Sequence, residues 1–406
     1  MKMRLLLCIL ALLLLTSCGK SDNNGPDRNA LPPLETEAVT DTAEQQSVLP
    51  QYVLYEECRS NGLTITVYDD GQLLVSGANI EENLKDSNIL RDYLDKITTL
   101  RLGDGVTVVG GKAFAGFNVL RKVIIGDSVE EIGYSAFADC TALTDVSFGN
   151  NLRVIGDYAF SGCVALKDAV VSDSVENMGS YVFNGCTALK NATFGSNVVS
   201  FGNGIFSGCT NFVSLRCGSN VTDAAFMNCT ALESVILDDS VIELGNRAFA
   251  GCTALKNLTL SGQLMTIGTY AFSGCTALRF VRIPSSVTHV EKEAFSGCVA
   301  LDTVEIVSGG RLAIGNAAFS GCAALKEIDL PEGVVELGEK VFTGCSALEK
   351  ITMSKTMAKL GYGIFYDAPS FRTLNYTGTW SEWNTVEKTS GWSICTGMFT
   401  IKCSTK

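Results

Sequence analysis

Phenylalanine recurs along this chain at positions 114, 137, 160, 183, 206, 226, 249, 272, 295, 319, 342 and 365, at intervals of 23 residues broken only by one of 20 and one of 24. This ruler constrains the fold before any secondary structure is assigned, because a fixed period of 20–50 residues is the mark of a stacked repeat. A unit of that length cannot bury its own apolar side. It must be covered by the units before and after it, so the chain has to form a solenoid.

One unit reads FAGCTALKNLTLSGQLMTIGTYAF, residues 249–272. Three residues after the phenylalanine comes cysteine, at 140, 163, 186, 209, 229, 252, 275, 298, 322 and 345, and six after it comes leucine, or Phe212 and Phe371. Apolar residues then alternate, as in Leu258 and Leu260, Val281 and Ile283, or Ile328 and Leu330. Such short runs bounded by turn formers read as strands. A second apolar pair such as Leu264 and Ile267 follows, usually before a glycine, at 133, 156, 179, 202, 245, 268, 315, 338 and 361. These glycines are expected to turn the chain with positive φ. The fold class is therefore a repeat solenoid of about 23-residue units, mostly β with short turns and helical turns, spanning residues 100–376 in 12 repeats. At ~4.8 Å per strand the array is ~55–60 Å long. Between Phe206 and Phe226 three residues of the second extended piece are missing, which predicts a weak interface dividing residues 100–206 from 226–376.

The N-terminus has a different character. Lys2 and Arg4 precede eleven apolar residues, Leu5 to Leu15, too few for a membrane span and right for a secretory signal. Leu15-Thr16-Ser17-Cys18 then has the form of a bacterial lipobox, so residues 1–17 read as a lipoprotein signal peptide and Cys18 as the lipidated residue. Gly19 after the cysteine points to the outer membrane, on its cell surface or facing the periplasm. Residues 18–47 carry Pro26, Pro32 and Pro33 and no apolar period, and read as a disordered tether. Residues 48–99 read as an N-terminal capping module: a hairpin about Asp69-Asp70-Gly71, then a helix opened by Asn79 and Glu82 and running to about Ile97. Residues 377–406 read as a C-terminal cap.

The phrase IGxxAFSGCxAL, repeated in register over residues 100–376, resembles the BspA-like leucine-rich repeat family of surface proteins. The segment GLTITVYDDGQLLVSG, residues 62–77, and LNYTGTWSEWNTVEKTSGW, residues 374–392, are similar to the family's N- and C-terminal segments. The resemblance implies a non-catalytic surface protein with a role in adhesion to host matrix proteins or in contact between cells.

Composition supports a binder over a catalyst. The single histidine, His289, has no second histidine with which to share a ligand set, and the net charge of −12 argues against nucleic acid. Structural zinc sites need paired cysteines, whereas these are single and one period apart, so they read as small buried hydrophobes, since Phe117 and Ala368 take their place in the terminal units. Cys395 and Cys403 lie outside that register and are candidates for a disulfide. The stretch GDGVTVVGGKAF, residues 103–114, lacks the spacing of a phosphate loop. No cofactor or metal is implied.

What remains is surface. Residues eight and ten after each phenylalanine should point outward from the strands, and the second of these columns includes Arg216, Ile236, Arg282, Glu305 and Asp329, with Phe280 in the first. Aromatic and arginine side chains on a rigid array are typical anchors, so these six form the candidate face for a protein or glycan partner. A monomer reaching the membrane only through its lipid is the expected form. A glycan-capture protein, the main alternative, should display tryptophan or tyrosine platforms, yet Trp380, Trp383 and Trp392 all fall in the C-terminal segment. A purely structural envelope protein would have a featureless face.

Overall fold

The computed structural model describes residues 53–404, apart from 60, 82, 85–89, 195–199 and 396. The expected signal peptide, the expected lipidation residue Cys18 and the expected tether lie outside the described residues. The chain winds into a β-solenoid of about 14 turns of about 23 residues, with almost no helix.

Each coil has three sides. The first carries a strand of three or four residues, such as Phe280–Ile283, in parallel register with its neighbours: Arg282 faces Glu305 and Ile283 faces Ile306. The second carries a strand of two to four residues, such as Thr266–Ile267, again parallel. On the third, the AFSGC turn, alternate backbone N–H groups donate to the following coil: Arg247 to Thr269, Phe249 to Ala271 and Gly251 to Ser273, at 2.8 Å each. Backbone polar groups on all three sides thus find partners in adjacent coils, although the first-side strands are divided among five sheets.

The core is a column of rings. From Phe114 to Phe342 each repeat phenylalanine stacks on the next, with centroids 5.2 to 6.0 Å apart. The separation exceeds the coil spacing because the rings are offset, the arrangement their quadrupoles prefer.

The glycines after the second strand do not turn with positive φ, contrary to the sequence reading; the left-handed residues lie elsewhere, two before the phenylalanine, as at Tyr158, Tyr181, Arg247 and Tyr270, and two after it, as at Gly251 and Gly274. Those glycines answer instead to close approach. A Cβ on Gly268 would lie 2.6 Å from the Leu244 carbonyl oxygen, and one on Gly133 2.9 Å from that of Val109. Only Thr222 and Glu291 interrupt this ladder between Gly110 and Gly361.

The repeat pattern extends past both ends of residues 100–376. Strands β1 (Val53–Cys58) and β2 (Thr64–Tyr68) are antiparallel, as are β2 and β3 (Gln72–Ser76), but β3 pairs in parallel with β4 (Thr99–Leu102), and Ile80 bridges Val109 on the second side. The hairpin therefore feeds straight into a first coil. Asn79 does not cap a helix there: its Oδ1 accepts from the N–H of Thr107 and of Val108, both at 2.9 Å. In the next coils that pair of N–H groups is taken by one backbone carbonyl, as Glu130 and Glu131 donate to Thr107, so the side-chain amide completes the ladder where it begins. Of the helix expected to run to about Ile97, Glu82 and residues 85–89 lie outside the described residues, and the rest shows 3-10 conformation at Leu84 and at Arg91–Tyr93 in place of an α-helix.

At the other end the short helix α1 (Trp380–Thr385) is inserted between the two strands of the last coil, opened by a capping box of Thr379 and Glu382. Trp383 is buried, meets Trp392 edge-on at 5.6 Å, and is covered on its outside by Lys388, whose Nζ lies 4.4 Å from the ring centroid. Trp392 and Phe399, both packed against Phe365, close the open end of the phenylalanine column.

Around the interval from Phe206 to Phe226 both strand-bearing sides are interrupted, since on the first side Asn191–Thr193 and Ser214–Cys217 fall in separate sheets. The second-side sheet breaks between Ser200–Phe201 and Glu243–Leu244, where only Val221 forms an isolated bridge to Leu244. The first-side strand Ser214–Cys217 still pairs with Ser234–Leu237, and Phe206 still stacks on Phe226 at 5.4 Å. Asn220 Oδ1 accepts from Ile242 N–H at 2.9 Å and Glu243 N–H at 3.2 Å, the device seen at Asn79.

Candidate functional site

The strand alternation places the six candidate residues on the first side of the solenoid, in three sheets: Arg216 with Ile236, Phe280 and Arg282 with Glu305, and Asp329 in a third. Arg216, Phe280, Arg282, Glu305 and Asp329 are exposed and Ile236 is half-buried, while their neighbours Val281, Ile283, Ile328 and Leu330 are core. The parallel register sets like positions side by side, so charges pair across coils. Arg282 Nε lies 2.8 Å from Glu305 Oε1, Arg216 Nη2 2.8 Å from Asp238 Oδ1, and Arg279 Nη2 2.7 Å from Asp302 Oδ2. The hydrogen bond from Arg279 holds the Asp302 carboxyl below its usual range. Exposed pairs of this kind contribute ~0–1 kcal/mol each. Their effect is to hold the arginines in place around Phe280, which is 43% exposed on the strand between Arg279 and Arg282.

The cysteine column is inward and reduced. All ten are buried free thiols, and each Sγ donates to the carbonyl of the phenylalanine one coil back, as Cys252 does to Phe226 at 3.2 Å and Cys275 to Phe249 at 3.3 Å. The thiol is thus a weak donor to a buried carbonyl as well as a small hydrophobe. Burial pushes Cys186, Cys229, Cys298 and Cys345 up to about 12, far from the range of a reactive thiolate. Cys395 and Cys403 do not pair; both are free. His289 is an exposed residue of a second-side strand, with Nδ1 3.0 Å from Thr288 Oγ1. Among the described residues no group of three or more His, Cys, Asp or Glu side chains is arranged to hold a metal ion, and no helix is long and apolar enough to cross a membrane.

The third side holds residues that the sequence reading passed over. The left-handed position two before each phenylalanine reads Tyr158, Tyr181, Gly204, Ala224, Arg247, Tyr270 through the middle of the array; the three tyrosines are half-buried, Arg247 is exposed and Ala224 is buried. Tyr158 and Tyr181 stack at 5.1 Å and 11°, and Tyr134 meets Tyr158 edge-on at 5.9 Å. Arg247 lies 5.1 Å from the Tyr270 ring centroid, and Lys292 Nζ 5.7 Å from it. Between the two groups is an open cleft of about 440 Å³, lined by Tyr181, Asn203, Asp223, Ala224, Asn246, Arg247 and Thr269. Reading one position along the phenylalanine ruler would have found it; attention to the strands alone did not.

The geometry defines a parallel β-solenoid built from leucine-rich repeats. The BspA type leucine rich repeat region, in six copies, matches residues 92–213, 215–311 and 308–386, and the chain belongs to that family. A leucine-rich repeat protein from Bacteroides ovatus is similar in fold, with a TM-score of 0.54 at 22% identity, covering 86% of this chain and 99% of that one. A leucine rich cell surface protein from Faecalibacterium prausnitzii gives 0.38 at 22% identity over 82% of this chain and 97% of that one, and the pneumococcal vaccine antigen PcpA 0.42 at 15% over 87% and 99%. No curated protein matches the chain.

Proposed function

We propose that this is a lipid-anchored leucine-rich repeat protein of the cell surface that binds a protein or glycan partner and performs no chemistry, with the long-strand face as the surface for a protein. The observation that carries this reading is the registered face itself: Phe280 stands exposed between arginines that are held by Asp302 and Glu305, on a sheet whose spacing the backbone fixes. A rigid face with a central aromatic and ordered arginines loses little side-chain freedom on binding, which favours a protein partner. Membership of the BspA-type family and the likeness to cell-surface repeat proteins support a role in adhesion. Cys18 is the anchor in this reading, the outer membrane its address, and the mature protein acts as a monomer.

The test is a binding screen of the chain from residue 19 against immobilised matrix proteins and polysaccharides, followed by Phe280→Ala with Arg282→Ala on any hit. A loss of tenfold or more in affinity is the expected result; unchanged binding would remove the face from consideration. In cells, Cys18→Ser should abolish acylation and membrane retention. Loss of the intact protein on treating whole cells with protease supports the surface orientation, and its protection until the outer membrane is opened supports the periplasmic one.

A further inference from the structure

We infer that the cleft on the third side of the solenoid is a carbohydrate-binding site, separate from the long-strand face and resting on different residues. Its shape follows from two successive small residues in a column whose other small members, Ser135, Ala317 and Gly363, stand singly. Gly204 and Ala224 leave two successive coils, ~10 Å of the solenoid's length, without a bulky side chain. Tyr181 leans over the first of them, for a Cβ built on Gly204 would fall 2.2 Å from its ring. Its partner Tyr158 covers one face of that ring, and Tyr181 also lines the cleft. Arg247, braced on Tyr270, forms the far wall.

The lining has the chemistry of sugar recognition. An aromatic ring offers a flat apolar face to the C–H face of a pyranose, and planar amide, carboxylate and guanidinium groups exchange paired hydrogen bonds with vicinal hydroxyls. Here Tyr181 supplies the ring, and Asn203, Asp223, Asn246 and Arg247 supply the planar polar groups. Part of that set is fixed in advance: Asp223 Oδ1 accepts from the Asn246 N–H at 2.7 Å, and Asn246 Oδ1 from the Thr269 N–H at 3.0 Å. The Asn203 carboxamide and the Tyr181 hydroxyl make no hydrogen bond to any described residue and face solvent. The cleft is too shallow and too polar for an apolar side chain to gain by entering it, which disfavours a protein anchor. Asp223 and Arg247 balance in charge, which favours a neutral sugar.

The experiment is saturation-transfer difference NMR on the chain from residue 19 with cellotetraose, maltotetraose, mannotetraose and xylotetraose, and with trigalacturonate as the acidic arm. Two variants accompany it. Tyr181→Ala removes the platform. Ala224→Tyr fills the gap, and it should fold normally because Ala224 sits at φ 55° where Tyr270 occupies the same position at φ 59°. An unchanged thermal midpoint and circular dichroism spectrum will confirm this. Saturation of sugar ring protons by at least one of the five, with affinity lowered tenfold or more in both variants and unchanged in Phe280→Ala with Arg282→Ala, is the expected result. Binding by none of them, or binding that survives Ala224→Tyr, overturns the assignment. Sugar binding lost only in the Phe280 variant would place the ligand on the long-strand face and overturn it equally, while leaving the proposed function standing.

Discussion

At the scale of single residues, successive coils run so close that a side chain is excluded at one corner and a ring required at another. Gly268 has no room for a Cβ against Leu244 and Gly245, so Gly268→Ala should destabilise the fold by ~1–3 kcal/mol through overpacking, measured by urea denaturation. Phe249→Ala, which opens a gap in the stacked column, should cost more, ~3–5 kcal/mol. The thiols carry a pH dependence. Cys186, Cys229, Cys298 and Cys345 stay protonated in the folded chain to about 12, whereas in the unfolded chain a thiol ionises near 9.0. The unfolded state therefore releases protons first as pH rises. The contribution of each is complete below 9 and is lost between 9 and about 12, at about 1.4 kcal/mol per pH unit. Under reducing conditions the urea midpoint at pH 10 should fall well below that at pH 8; equal midpoints would show that the column is accessible to solvent. The residue scale also shows what a sequence hides. The phenylalanine column was legible because hydrophobic period reports burial. The reason for the glycines was not, because positive φ and close approach select the same residue, and only coordinates separate them.

At the scale of elements, two asparagines do the same work in unrelated places. Asn79 opens the second-side ladder and Asn220 repairs it where the coil is three residues short, each offering a side-chain carbonyl to two backbone N–H groups. Asn220→Ala should cost ~1 kcal/mol and speed hydrogen exchange at Ile242 and Glu243, with Asn220→Asp retaining protection because an acceptor remains. The spacing of Asn79 and Glu82 suggested a helix start, since the residue types that cap helices also cap strands. Sequence pattern gave both strand columns correctly because alternation and register recur in every unit. It did not give the cleft, which lies where two small residues, Gly204 and Ala224, follow one another in a column whose members lie twenty or more residues apart.

At the scale of the whole molecule, cooperativity depends on how many of the three sides are continuous at each coil. Through residues 207–225 the second-side sheet is interrupted and the first-side strand Ser214–Cys217 pairs only with the coil after it, while the ring column continues. In a one-dimensional array such an interface is weaker than its neighbours but still couples them. Hydrogen exchange should therefore show lower protection for residues 219–223 than for the matching residues 242–246, with the blocks on either side separating only in variants such as Asn220→Ala. Uniform protection across the short coil would refute the weak interface.

The repetition of coil-to-coil bonds also makes length a free variable. Because Phe249 and Phe272 sit in near-identical surroundings, excising residues 250–272 joins Phe249 to Ser273 and recreates the same turn, with the same donors facing the same acceptors. Neither the hairpin at one end nor the tryptophans at the other would meet a new neighbour. A gene for such a protein can thus grow or shrink by whole units, each changing the reach by one strand spacing, ~4.8 Å, while a cut out of phase would misalign every ladder beyond it.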